Sequence, residues 1–180
     1  MKRVLVVVDF QNDFVDGALG FEQAKNLEHK IVAKIGECRA SGHDVVFTFD
    51  THASDYLSTQ EGQNLPIAHC IKGTAGWNLF GEVARQILDA DKRFEKTTFG
   101  SVELAQYLAA SGYDSVLFVG VVTNICVIAN ALLAKTFLPE ARILVDASCT
   151  ASFDASLHQA ALDVMQGLQI KVVPDSWSGA

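Results

Sequence analysis

The segment VLFVGVVTNICV places a cysteine, Cys126, where a β-rich run gives way to helical spacing, in the first turn of a predicted helix. Backbone N–H groups lack partners in such a turn and the helix dipole is positive, so an anion is favoured there. A thiol, with an ordinary pKa of about 8.5, becomes a better nucleophile in that position if a cation stands nearby, and the same N–H groups can hold an oxyanion. Without such surroundings a free cysteine is usually a small buried side chain, which is the reading for Cys38, Cys70 and Cys149. Asp9 closes the apolar run VLVVV, where a partly desolvated carboxylate can act as a base. The alternative is an Asp that caps a turn, the reading preferred for Asp13 one step further into the loop. Lys96, in RFEKTTFGS, is by default a surface ammonium; read with Asp9 and Cys126, it supplies the missing cation. A second group lies in the polar loop at residues 51–77, where Asp50 and His52 form a D-x-H pair and Glu61 and His69 follow. Carboxylate and imidazole in this mixture suit zinc or another divalent transition ion, though two acids and two histidines in a polar loop are also commonly just solvated.

These groups need strand ends to hold them. Apolar β-rich runs recur at residues 4–8, 44–49, 115–119, 142–145 and 170–173, separated by stretches of helical period. Continuous runs such as VLVVV and VVFTF suit strands covered on both faces, so the expected fold is a three-layer α/β/α, doubly wound domain with a mostly parallel sheet, a single domain over 1–180. Leu27, Ile31, Ile35 and Cys38 mark a helix over residues 26–40, stopped at Ser41-Gly42. Leu104, Leu108 and Ala109 mark another over 102–110, ended by Gly112. Thr123 is the expected N-cap of a helix running to about residue 136, with Pro139 beyond it. In doubly wound sheets ligands sit beyond the carboxyl ends of the strands, and a loop as long as 51–77 is usually functional. Trp77, Phe80, Phe118 and Phe153 are assigned to packing, and Trp177 to a peripheral C-terminal anchor.

The 180 residues are 49% apolar and 19% charged, with 14 basic against 21 acidic residues and a net charge of −7, which excludes an acidic disordered chain. Nucleic acid is not an expected partner, since phosphate contacts need clustered Lys and Arg. No run approaches the ~18 apolar residues of a membrane helix, so no membrane partner is expected either. Residues 4–8 read as a strand rather than a signal peptide, and the four cysteines read as thiols in a reducing, cytoplasmic compartment.

Three segments together resemble the isochorismatase-like cysteine hydrolases, and the nicotinamidases within that superfamily. They are D-x-Q-x-D-F at Asp9, Gln11 and Phe14, K-x-x-[YF] at Lys96 and Phe99, and G-V-x-T-x-x-C-V at residues 120–127, extended by Asp146, Ala147 and His158. The resemblance implies Asp9, Lys96 and Cys126 as a catalytic triad. It also implies a cis Val121–Val122 bond and an oxyanion hole from the N–H groups of Val122 and Cys126. It matches Asp50, His52 and His69 to a metal site that binds the ring nitrogen of the substrate, with Glu61 as a fourth ligand as in some bacterial members. The ion implied is zinc, with iron or manganese as alternatives. Phe14 and Phe99 then fall at positions that sandwich a flat ring, with Leu65 as an apolar wall. The activity implied is hydrolysis of nicotinamide to nicotinate and ammonia through a cysteine thioester, and members commonly form homo-oligomers. Two alternatives stay open: the same triad acting on another small amide, a carbamoyl compound or a vinyl ether, and a non-catalytic doubly wound binding or signalling module. Against the latter, the sequence has no P-loop or GxGxxG fingerprint.

Overall fold

The structure is a computed structural model describing residues 1–174, so Trp177 lies outside the described residues. Six strands, β1 (Arg3–Val8), β2 (Asp44–Asp50), β3 (Lys92–Lys96), β4 (Ser115–Val121), β5 (Arg142–Ala151) and β6 (Lys171–Val173), form one sheet. They lie in the order β3-β2-β1-β4-β5-β6, and every neighbouring pair is parallel. The helices are α1 (Asn12–Val15), α2 (Glu22–Lys25), α3 (Glu28–Ala40), α4 (Gln60–Asn64), α5 (Gly81–Ala84), α6 (Val102–Ser111), α7 (Ile128–Phe137) and α8 (Ala155–Gly167).

The alternation of side chains along each strand builds two cores. Leu5 and Val7 of β1, Val45 and Phe47 of β2 and Leu117 and Val119 of β4 pack under Ile31 and Ile35 of α3. Val4, Val6 and Val8, with Val116 and Phe118, face Leu104 and Leu108 of α6, Ala131 of α7 and Met165 of α8. A strand buried on both faces reads as a continuous apolar run, so β1, β2 and β4 are visible in the sequence. β3 is not, because it is an edge strand of sequence KRFEK in which only Phe94 and Lys96 are buried. Charged residues on an edge deter pairing with other chains, and they also hide the strand from a hydrophobic pattern.

Helix ends follow local chemistry. The Ser101 hydroxyl accepts the Leu104 N–H at 3.1 Å to start α6, and Gly112 ends it in the left-handed region at φ 65°. The expected Thr123 cap is not found: β4 runs straight into a wide turn, residues 123–127, in which the Val127 N–H reaches back to the Val122 carbonyl at 3.2 Å. The Thr123 hydroxyl instead lies 2.9 Å from His158 Nδ1, and α7 begins only at Ile128.

The sheet order changes direction between β1 and β4, and here the backbones come unusually close. A Cβ on Gly120 would stand 2.1 Å from the Val8 carbonyl oxygen, and Gly120 has φ 110°, so only glycine fits. In β5, Val119 of β4 faces a bulge of residues 146–149, since Phe118 pairs with Val145 but Gly120 with Thr150. Asp146 fixes that bulge by accepting from the Ser148 N–H and hydroxyl at 2.9 and 2.7 Å, while its other oxygen lies 3.5 Å from the Lys34 ammonium.

Candidate active site

Four adjacent strands deliver their last residues to one crevice. Asp9 follows β1, Asp50 ends β2, Lys96 ends the edge strand β3 opposite Asp50, and Val122 follows β4. The Lys96 ammonium lies 2.7 Å from Asp9 Oδ2, 3.4 Å from Asp50 Oδ1 and 3.5 Å from the Cys126 sulfur. All four side chains are buried. The Val121–Val122 peptide is cis. Cys126 sits in the wide turn after β4, and buried Asn130 fixes that turn: its amide donates to the Cys126 carbonyl at 2.8 Å and the Phe99 carbonyl at 3.1 Å, and accepts the Ser101 N–H at 2.9 Å.

Burial pushes the Cys126 thiol well above its ordinary value, with the Lys96 charge working against that shift. Burial also raises the Asp9 carboxyl, outweighing Lys96. Burial alone would disfavour the Lys96 ammonium, but Asp9, Cys126 and Asp50 together hold its pKa above normal. One cation cannot compensate two buried carboxylates, and the surplus is divided unequally. Asp50, although also buried, is held below the carboxylate range by hydrogen bonds from His52 and His69, whereas Asp9, without such partners, keeps a pKa above its ordinary value.

Asp50 joins this cluster to a second one. Its Oδ2 lies 3.1 Å from His52 Nε2 and 3.5 Å from His69 Nε2, and Glu61 Oε1 is 3.8 Å from His52 Nε2. The four candidate ligand atoms all lie within 4.8 Å of one another. The loop that carries them is stitched together. Thr59 caps α4 by accepting the Gly62 N–H at 3.0 Å, which sets Glu61. The His52 N–H donates to the Cys70 carbonyl at 3.0 Å, which brings the two histidines side by side. His69 Nδ1 lies 2.8 Å from the Ile67 carbonyl; a neutral ring with its proton there would offer the Nε2 lone pair to an ion in place of the hydrogen bond to Asp50. Two imidazoles, two carboxylates and a backbone orienter are a donor set that fits a divalent transition ion.

Both clusters open into one pocket lined by Phe14, Leu19, Leu65, Phe99, Ile125 and Phe153 together with Asp50, Glu61, His69, Val122 and Cys126. The three aromatic or apolar residues expected here, Phe14, Leu65 and Phe99, are all present. Phe153 corrects its assignment to packing: it is 54% exposed, lines the pocket, and meets Phe21 edge-on with ring centroids 5.6 Å apart.

Residues 3–174 match the isochorismatase domain family. The chain belongs to that family. It is 29% identical to the nicotinamidase/pyrazinamidase of Mycobacterium tuberculosis, over 97% of this chain and 100% of that protein. The crystal structure of a nicotinamidase/pyrazinamidase from Bacillus subtilis superposes with a TM-score of 0.86 at 27% identity, covering 97% of this chain and 100% of that one. The pyrazinamidase of Pyrococcus horikoshii, solved in complex with zinc, superposes with a TM-score of 0.84 at 25% identity, covering 96% of this chain and 99% of that one.

In this isochorismatase-family chain several supporting side chains escape a reading of the sequence for chemistry. The buried Gln11 amide donates to the Asp50 carbonyl at 2.9 Å and the Trp77 carbonyl at 2.8 Å and accepts the Asp50 N–H at 2.7 Å, clamping the end of β2. Asp13 accepts the Cys70 N–H at 2.7 Å and thereby ties the His69 loop to α1. The Ser152 hydroxyl donates to Asn124 at 2.6 Å, inside the turn that holds Cys126. The only signal for Gln11 was its place within D-x-Q. Cys38, Cys70 and Cys149 are buried free thiols. Among the described residues no helix is long and apolar enough to cross a membrane.

Proposed function

We propose that the protein is a nicotinamidase, hydrolysing nicotinamide to nicotinate and ammonia through a thioester on Cys126. The observation that carries this reading is Lys96, whose one ammonium touches the nucleophile, the acid–base carboxylate and Asp50. Nucleophile and candidate ligands therefore face the same small apolar pocket, as a flat ring bearing a carboxamide requires.

In this mechanism Asp9 accepts the Cys126 proton and Lys96 stabilises the thiolate that results. The sulfur attacks the carboxamide carbon, and the oxyanion accepts from the N–H groups of Val122 and Cys126. Asp9 returns the proton to the departing ammonia, then helps water open the thioester. Phe14, Phe99 and Phe153 enclose the ring and keep bulk water from the reacting carbon. Asp50, His52, His69 and Glu61 would hold a divalent ion, zinc on the donor set, which supplies a Lewis-acid position for the ring nitrogen when bound.

The test is product analysis with nicotinamide and the metal-replete protein. Nicotinate and ammonia form in equal amounts, and added hydroxylamine diverts part of the acyl group to nicotinohydroxamate, as an acyl-cysteine demands. Absence of any product would overturn the reading.

A further inference from the structure

Asp9 does not continue the strand before it. β1 and β2 are in parallel register through Val7 and Phe47, but Asp9 turns away at φ 46°. Its N–H is taken up by a side chain, with Thr48 Oγ1 accepting at 3.2 Å. The same hydroxyl donates to Asp9 Oδ1 at 2.6 Å. Both residues are fully buried, so no water can stand in for either bond. One oxygen atom of Thr48 therefore closes both the backbone and one carboxylate oxygen of a single residue. The other oxygen, Oδ2, faces the Lys96 ammonium at 2.7 Å, and that ammonium lies 3.5 Å from the Cys126 sulfur.

We infer that Thr48 is a positioning residue of the acid–base step: by occupying Oδ1 and pinning the Asp9 backbone, it commits Oδ2 to the proton exchanged with Cys126 and with the leaving amine. The inference rests on the proposed role of Asp9. The chemistry is specific, because only a hydroxyl both donates and accepts through one atom in this space. Valine has the shape of threonine and neither capacity. Serine has both capacities and a smaller body.

The experiment compares Thr48→Val, Thr48→Ala and Thr48→Ser in the metal-loaded full chain. Thr48→Val and Thr48→Ala should lower kcat for nicotinamide by about 10- to 100-fold, with KM within about twofold and bound metal unchanged, and Thr48→Ser should restore most of the loss. A second readout needs no substrate: alkylation of Cys126 by iodoacetamide, followed by peptide mass spectrometry, should slow in the Val and Ala variants and recover in Ser. Should Thr48→Val fail to fold, Thr48→Ala against Thr48→Ser carries the comparison. Equal impairment of all three variants, or a rise in KM with kcat and alkylation unchanged, would overturn the inference. If the wild type leaves nicotinamide untouched, the functional reading falls, while the alkylation rates still decide the role of Thr48.

Discussion

Lys96 faces Asp9, Asp50 and the Cys126 sulfur at once, so its one positive charge is shared among all three. Asp50 is already committed to the imidazoles of His52 and His69, which leaves Asp9 to exchange protons. Asp9→Asn keeps the shape but not the basicity; kcat should fall by about 10²- to 10⁴-fold with little change in KM, measured by steady-state ammonia release. Glu61 is the most exposed member of the ligand cluster and sits on a short helix, and His52 is one of its buried members. Glu61→Gln and His52→Ala should each lower the metal retained after dialysis, His52→Ala more, by elemental analysis of equal protein amounts. Asp9 and Cys126 stood out in the sequence by their neighbours, an apolar run before Asp9 and a run into a helix at Cys126, whereas Lys96 was singled out only when read with those two. Phe153 was not, since an aromatic side chain carries no mark that separates a pocket wall from a core. Thr48 was hidden for a related reason, being one polar letter within an apolar strand.

At the scale of elements, the site exists because strands of unlike character end together. β1, β2 and β4 announce themselves by apolar runs, whereas β3 is an edge of sequence KRFEK in which every residue but Phe94 is charged. The apolar runs therefore leave Lys96 outside every expected strand, although it pairs with Asp50 in the sheet. The loop after β2 reads as polar and long; Thr59 caps its short helix locally, but Gln11 and Asp13 order it through contacts between distant segments that no local pattern announces. β5 depends likewise on a distant pair, Lys34 and Asp146, both buried, at its bulge. Asp146→Asn preserves an acceptor for Ser148 but removes the buried carboxylate from Lys34, leaving its ammonium the more exposed Glu37 carboxylate at 3.4 Å. It should cost up to about 3 kcal/mol of stability in urea unfolding, and a loss below about 1 kcal/mol would mean that the existing Glu37 contact is enough to compensate Lys34.

Across the whole molecule, the two layers of helices bury four thiols without joining any of them. Burial raises Cys38 and Cys149 to about 11 from an ordinary value near 9. The unfolded chain gives up these protons first, so their contribution to stability is complete below about pH 9 and is lost as pH climbs towards 11. The unfolding free energy should fall across that window, and the fall should be shallower in Cys38→Ala. Placement of the site at strand ends was foreseeable from the β-α rhythm, whereas the strand order, which locates the crevice at the β1–β4 reversal, is set by contacts between distant segments. The central claim, that Cys126 is the nucleophile of an amidohydrolase, is tested most directly by ammonia release from nicotinamide in the wild type beside Cys126→Ala, with the metal content of both determined. The account predicts turnover in the wild type, none in the variant, and equal metal in the two; substantial turnover by Cys126→Ala would contradict it.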